Sequence, residues 1–341
     1  MKTLAELAPL LFAPQKIAIT HHYNPDADAL GSSLGLFHYL NQLGHSCHVI
    51  SPNAIPDFLR WMPESNSVLI YEENKQAADA VLDESTILFS LDYNHYSRTQ
   101  TLAGSLTNFN GTKVMIDHHL FPDTVFDFGL SLPSKSSTCE MVYDFINSTS
   151  GNSLINLNIA RCLYAGVMTD TGSFKFPCTT GSVHAMVSDL MGKGLQTAPI
   201  HQAIFDTFNV NRLRFLGYVL SEKMIIDPGT HSSLIPITKE ELNRFQLKTG
   251  DTEGIVNYPL SIQDIIFSTF ITERDNEIRM SFRSKGLFNV NEFARTYFNG
   301  GGHANAAGGR SHASLSDTIE IYRKAIIQTE NQLKQCYKEL V

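Results

Sequence analysis

The chain has 341 residues, 43% hydrophobic and 18% charged, a charged share below the roughly 25% of an ordinary globular protein. That length allows two domains, and that balance excludes a disordered chain, which needs low hydrophobicity and high charge. Lys and Arg number 26 against 34 Asp and Glu, a formal net charge of −8. Binding of long duplex nucleic acid by bulk charge is therefore excluded, while a phosphorylated ligand stays within reach if metal ions invert the local sign. Cys47, Cys139, Cys162, Cys178 and Cys336 show no CxxC spacing and read as reduced thiols of a cytoplasmic protein. The N-terminus lacks a signal peptide's long apolar stretch, and no window nears 18 uninterrupted apolar residues, so no membrane association is expected.

Residues 16–20 (KIAIT) predict the first strand. Leu30, Leu34, Phe37 and Leu40 recur at a 3–4 spacing and predict a helix over 29–43 that Gly44 stops. Strand-like bursts follow at 46–50, 68–71, 86–91 and 113–116. Ser137-x-x-Glu140 is a capping box that opens a helix through about Asn147, and another helix is predicted over 157–168. Short apolar strands separated by helices predict an α/β fold built on a doubly wound, mostly parallel sheet. Two glycines and a proline in 191–199 mark a domain boundary. The expected division is a first domain over 1–192, a linker with an amphipathic connecting helix over 193–221, and a smaller α/β domain over 222–341. In that second domain strands are predicted at 233–237, 265–271 and 277–283, then a short helix and a glycine cluster over 299–309. A closing helix starts near Ser314, where Ser314-x-x-Asp317 is a second capping box, and buries Ile319, Tyr322 and Ile326.

Four segments of the first domain carry acids and imidazoles at element ends. His21-His22-Tyr23-Asn24-Pro25-Asp26-Ala27-Asp28 follows the first strand, Asp92 ends the 86–91 strand, and Asp117-His118-His119 follows the 113–116 strand. Asp170 ends the row Ile159, Leu163, Val167, Asp170 along one helical face. Ligands of a parallel sheet gather outside the carboxyl ends of its strands, where three of these segments fall. Taken singly, an Asp-x-Asp is a helix cap or a loop acid, and a His-His pair is polar packing. Clustered carboxylates repel, and such a group persists when cations neutralise it. Imidazole with carboxylate suits manganese, zinc or ferrous ions, whereas magnesium favours oxygen alone. From an extended segment Asp26 and Asp28 would lie roughly 6–7 Å apart at Cα, so they would serve two neighbouring ions, the common arrangement for phosphate-ester hydrolysis.

His22-x-x-x-Asp26-x-Asp28, Asp92, Asp117-His118-His119 and Asp170 resemble the four motifs of the DHH phosphoesterase superfamily. Gly300-Gly301-Gly302-His303 resembles the GGGH signature of the DHHA1 domain. The pairing is most similar to the bacterial nano-RNase and pAp-phosphatase group. The resemblance implies two divalent metal ions, expected to be manganese. His22 and Asp26 would hold one ion, Asp28, His118 and Asp170 the other, and Asp92 both. His119 would contact the substrate phosphate, and Asp117 would orient His118 or the backbone. His21 departs from the simplest pattern, and the spacing to Asp26 favours His22.

In the second domain the glycines of 299–309 suit a backbone approaching phosphate, with Gly301 and Gly302 candidate amides of an anion nest beside His303. Alternation puts Arg279, Ser281 and Arg283 on the face opposite Ile278, Met280 and Phe282, which by itself reads as a solvated face. The resemblance instead implies that Arg283 and His303 close over the phosphate in a cleft between the domains. Arg98, six residues past Asp92, is a third candidate. The expected activity is hydrolysis of very short RNA to mononucleotides and of 3′-phosphoadenosine 5′-phosphate to AMP. Expected partners are short single-stranded RNA or nucleotides, with neither long duplex nucleic acid nor membrane, and a homodimer is the candidate assembly. Competing readings are a linear or cyclic dinucleotide phosphodiesterase, an exopolyphosphatase-like enzyme, and a catalytically silent nucleotide-binding regulator.

Overall fold

A computed structural model describes residues 1–149, 151–248, 250–275 and 277–340. The chain divides into two compact units, Met1–Thr207 and Phe208–Val341.

The first unit is built on six strands: β1 (Lys16–Thr20), β2 (Ser46–Ser51), β3 (Leu69–Ile70), β4 (Ile87–Leu91), β5 (Thr112–Asp117) and β6 (Phe128–Ser131). Their order is β3-β2-β1-β4-β5-β6, with every neighbouring pair parallel. The doubly wound fold class is therefore as expected. Side-chain alternation explains the winding. Ile17, Ile19, Phe89, Val114 and Ile116 join one core, under the Ala27–Gln42, Thr138–Ser148 and Leu157–Asp170 helices. Ala18, Leu88 and Met115 join the other, with Ala78 and Leu82 of the Lys75–Glu84 helix. A sheet apolar on both faces needs a helical layer on each. Strand order reverses between β1 and β4, which opens a crevice at their carboxyl ends.

Two helices beneath that crevice pack very closely. A Cβ at Gly35 of the Ala27–Gln42 helix would lie 2.7 Å from the Leu163 side chain, and one at Gly31 would collide with the Cys162 carbonyl. From the Leu157–Asp170 helix, Gly166 faces back onto Asp28, with a Cβ there only 2.7 Å from Oδ1.

The second unit carries β7 (Ile225–Asp227), β8 (Ser232–Ile237), β9 (Phe267–Glu273), β10 (Ile278–Ser284), β11 (Gly301–Gly302) and β12 (Ala306–Ser311), in the order β11-β12-β10-β9-β8-β7. Among the described residues, β8 and β9 pair in parallel and the other neighbours antiparallel. Ile278, Met280 and Phe282 of β10 pack under the Val290–Tyr297 and Leu315–Leu340 helices, beside Tyr322 and Ile326. Ile235 and Ile237 of β8 face the opposite core with Phe215.

Three expectations change. The continuous helix over 200–221 is two helices, Thr197–Phe205 and Val210–Tyr218, because Asn209 accepts a cap bond from Arg212 N at 2.8 Å and restarts the chain. The glycine cluster is a β-hairpin, with Gly301 opposite Gly308 and Gly302 opposite Ala307. At Ser137-x-x-Glu140, Ser137 caps as expected, but the Glu140 carboxylate reaches past it to the Ser136 amide, 2.9 Å. Among the described residues no helix is long and apolar enough to cross a membrane, and all five cysteines are free thiols.

Candidate metal centre

The chain leaves β1 through His21 and His22, and the two rings part. His21 is fully buried, its Nδ1 3.1 Å from the Ser33 hydroxyl, and burial pushes its pKa down to about 3. His22 directs Nε2 at Asp92 Oδ2, 3.2 Å, and Asp26 Oδ2, 3.8 Å, while Nδ1 bonds the Tyr23 carbonyl oxygen at 2.9 Å. Those contacts fix the ring's orientation.

Asp26 and Asp28 do not lie on an extended segment; they open a helix. Asp26 is the N-cap, its Oδ1 accepting from Asp28 N and Ala29 N, both at 3.0 Å. Asp28 is in the first turn, fully buried. The two still serve different sides, because a helical turn directs neighbouring side chains apart. A second helix start holds Asp28: Thr138 N donates to Oδ2 at 2.7 Å and Cys139 N to Oδ1 at 2.8 Å. Amides at a helix N-terminus are a natural cradle for a carboxylate.

Asp92 follows β4 with φ +61°, a left-handed conformation that Asp tolerates better than most residues. Thr138 Oγ1 donates to its Oδ1 at 3.1 Å. That oxygen lies 3.5 Å from His118 Nε2 and 3.7 Å from His119 Nδ1. His118 Nε2 is also 3.5 Å from Asp170 Oδ2 and 3.8 Å from Asp28 Oδ2, with its Nδ1 3.3 Å from the Lys135 carbonyl oxygen. Asp170 is the last residue of its helix. Asp117 does bond the backbone, at 3.0 Å to the His119 amide, but the ring it holds is that of His119, at 2.7 Å to Nδ1, and not that of His118.

Two of the donor triads within 4.8 Å consist wholly of expected metal ligands, His22, Asp26 and Asp92, and Asp28, Asp92 and His118, and a further one joins Asp92 to Asp117 and His119. Asp92 belongs to all three. Several N···O separations, 3.5–3.8 Å, exceed a hydrogen bond. Two donors each about 2.1 Å from one cation sit roughly 3.0–3.4 Å apart, so small closures would seat an ion. Charge points the same way. Burial, then Asp92, pushes Asp28 up to about 7; burial, then Asp28, raises Asp170. Burial would depress His118, yet Asp92, Asp170 and Asp28 push it up to about 10. Asp92 stays low: burial opposes its charge, but contacts from His118 and His22 outweigh that. Four neighbouring carboxylates therefore require neutralisation, and the mixed oxygen and nitrogen donors fit a divalent transition metal.

Arg98 is close enough for its charge to depress His119, after burial, and to oppose protonation of His22. In the second unit, His303 opens the hairpin turn, with its amide 2.7 Å from the Ala306 carbonyl oxygen. The Gly302 amide, a candidate for an anion nest, is taken by Asn291 Oδ1 at 3.1 Å. Packing accounts for part of the glycine content: a Cβ at Gly309 would stand 2.8 Å from Phe298 Cβ. Arg283 lies on β10 opposite Ala306, its Nη1 2.9 Å from the Phe282 carbonyl oxygen. Sequence reasoning missed Thr138 and the Cys139 amide. The signal was the capping box at Ser137, which predicts a helix start but not what it grips.

The DHH family, N-terminal domain, matches residues 16–167, and the DHHA1 domain matches residues 235–330. Bifunctional oligoribonuclease and PAP phosphatase NrnA from Thermus thermophilus is 29% identical over 308 residues, covering 90% of this chain and 87% of that one. The protein of the same name from Bacillus subtilis is 28% identical over 313 residues, covering 90% and 92%. The crystal structure of an exopolyphosphatase-related protein from Bacteroides fragilis superposes with a TM-score of 0.93 at 38% identity, covering 97% of each chain. With the Asp-His-His segment beside Asp92 in the parallel-sheet unit and a DHHA1 match on the other, the chain belongs to the DHH family.

Proposed function

We propose that this chain is a metal-dependent phosphoesterase that cleaves very short RNA to mononucleotides and 3′-phosphoadenosine 5′-phosphate to AMP. The observation that carries the reading is Asp92, common to two donor triads at the mouth of the sheet's crevice. The relatives that bear the oligoribonuclease and PAP phosphatase name support the substrate class. His22 and Asp26 would hold one ion, and Asp28, His118 and Asp170 a second, with Asp92 available to either; manganese suits these donors. Divalent cations so placed supply Lewis acidity and make water nucleophilic near neutral pH. Thr138 keeps Asp92 in place, and the Thr138 and Cys139 amides orient Asp28 and favour its charged form against burial. Asp117 fixes the His119 ring through Nδ1, so that Nε2 is the edge addressed to the substrate phosphate, where charge grows during displacement. Arg98 adds positive field. Arg283 and His303 of the second unit are the candidate groups for anchoring the far end of the substrate.

With a net charge of −8, a long polyanion gains little from the surface outside such a site. Binding energy is therefore exhausted after about two to five nucleotides, one stacked base each at most. The test is a panel with manganese: dinucleotide, 3′-phosphoadenosine 5′-phosphate, cyclic dinucleotide, polyphosphate, and single-stranded RNA lengthened stepwise to about a 24-mer. Hydrolysis led by dinucleotide and 3′-phosphoadenosine 5′-phosphate, with kcat/KM falling at greater length, supports the reading. Polyphosphate as the best substrate, or rates that climb with length, would replace it with an exopolyphosphatase or a strand-tracking exonuclease. Full activity after EDTA treatment would remove the metal from the mechanism.

A further inference from the structure

Glu140 is 2% exposed, and the chemistry above makes no use of it. Its carboxylate accepts four hydrogen bonds. Oε1 takes the Lys135 ammonium at 2.9 Å and the Ser182 hydroxyl at 2.7 Å, and Oε2 takes the Ser136 amide at 2.9 Å and the Ser136 hydroxyl at 2.8 Å. Lys135 also pairs with Asp144, at 2.6 Å. A buried polar network satisfied in this way holds its members in one arrangement. The Lys135 carbonyl oxygen lies 3.3 Å from His118 Nδ1. A ligating imidazole commonly gives its other ring N–H to such a carbonyl, which fixes its tautomer and orientation. Here that leaves Nε2 as the coordinating edge, facing Asp28, Asp92 and Asp170. Glu140 also ties down the first turn of its own helix, where the Thr138 and Cys139 amides hold Asp28 at 2.7 and 2.8 Å. One carboxylate therefore stands behind two donors, His118 and Asp28, of the same triad. His22 and Asp26 are supported elsewhere, by the Tyr23 carbonyl oxygen and by the start of the Ala27–Gln42 helix.

We propose that Glu140 is a positioning residue for one of the two metal ions, the one assigned to Asp28 and His118. With Lys135 it fixes the carbonyl that orients His118 and the helix turn that grips Asp28. It thereby sets the affinity of that ion and leaves the ion at His22 and Asp26 to its own supports. The proposal rests on the two-ion reading given above. Groups that orient metal ligands in this way are worth about 10- to 100-fold in metal affinity.

The test titrates manganese into the metal-stripped full chain and reads the free ion by electron paramagnetic resonance, for the wild type, Glu140→Gln, Lys135→Met and Tyr143→Phe. Tyr143 donates to Asp189 at 2.9 Å from the same helix, so its variant controls for a bond lost away from the cluster. Glu140→Gln should keep one ion at wild-type affinity and weaken the other about 10- to 100-fold. Lys135→Met, which leaves Glu140 its three serine donors, should weaken the same ion by less, and Tyr143→Phe should shift neither. Equal weakening of both ions in Glu140→Gln, or wild-type affinity for both, would reduce Glu140 to a folding role and overturn the proposal. If Glu140→Gln does not fold, Lys135→Met decides, and unchanged binding of both ions there overturns it. Hydrolysis of a dinucleotide by the wild type is measured in parallel. Its absence, together with selective loss of one ion, would sink the phosphoesterase reading and leave the positioning role standing; hydrolysis without selective loss would do the reverse.

Discussion

Replacing Gly166 by Ala should damage the metal centre from behind. Gly166 lies inside the Leu157–Asp170 helix, where Ala is favoured over Gly by roughly 1 kcal/mol on propensity alone. The space does not permit it. A Cβ at Gly166 would stand 2.7 Å from Asp28 Oδ1 and 2.8 Å from Asp28 Cα, and would also collide with Cys139 Sγ. Ordinary contact begins at 3.4 Å, so the carboxylate or the helix must yield by about 0.7 Å. The carboxylate cannot swing aside without giving up the Thr138 and Cys139 amides, at 2.7 and 2.8 Å. Overpacking of this kind costs about 1–3 kcal/mol, which leaves a net destabilisation of roughly 0–2 kcal/mol after the propensity gain. Function should suffer more, because a displacement near 1 Å in a reacting site can cost on the order of 100-fold. We expect kcat/KM on a dinucleotide to fall about 10- to 100-fold, with a modest shift in urea midpoint and weaker metal retention. Gly217→Ala, in the last turn of the Val210–Tyr218 helix with nothing within 4 Å of its Cβ, is the control and should stabilise by up to about 1 kcal/mol. If Gly166→Ala matches the wild type in stability, metal content and rate, then Asp28 is not held rigidly and the reasoning fails.

Asp92→Asn should lose both bound metal and activity, since one carboxylate serves both triads, whereas His119→Ala should keep most of the metal and lose rate; elemental analysis beside kcat separates them, and an emptied site in His119→Ala would exchange the roles of His118 and His119. Arg283→Ala and His303→Ala should raise KM about ten- to a hundred-fold, the loss of one charge-assisted phosphate contact, at unchanged metal content; unaltered kinetics in both would return Arg283 to a solvated strand face. Burial pushes the Glu140 carboxyl up, but Lys135 and the Ser136 and Ser182 donors hold it below its usual range. A carboxyl lowered on folding stabilises fully above its unfolded value, roughly 4.3, and loses that contribution as pH falls through the folded value. Glu140→Gln should therefore cost about 1–3 kcal/mol at pH 7 and flatten the wild type's loss of stability below about pH 4.3, read from urea midpoints across pH; parallel curves for the two proteins would contradict it.

The cluster was legible because its members sit at places that sequence marks independently. His22, Asp92 and Asp117 each follow an apolar burst, and a parallel sheet collects such ends in one crevice. The ends of the 16–20 and 86–91 strands could be read, but the reversal of strand order between them is a long-range property. β6 was missed because Phe128–Ser131 is a short edge strand containing a glycine, half-exposed and without an apolar run. The restart at Asn209 was hidden by helical periodicity continuing on both sides of it. Thr138 could not be found, since its bond to Asp92 joins positions 46 residues apart. The glycines of the hairpin were read as freedom of the backbone; much of their role is close packing.

The left-handed backbone at position 92 limits how this protein can change over evolutionary time. A side chain there has to satisfy a steric filter before any question of charge arises, and the residues that pass it comfortably are Gly, Asn and Asp. Lineages that abandoned the reaction while keeping the fold would therefore drift first through Asp92→Asn or Asp92→Gly, and seldom through Ala or Glu. A relative with Asn at this place and an otherwise intact set of donors should then be a well-folded protein recruited for recognition alone.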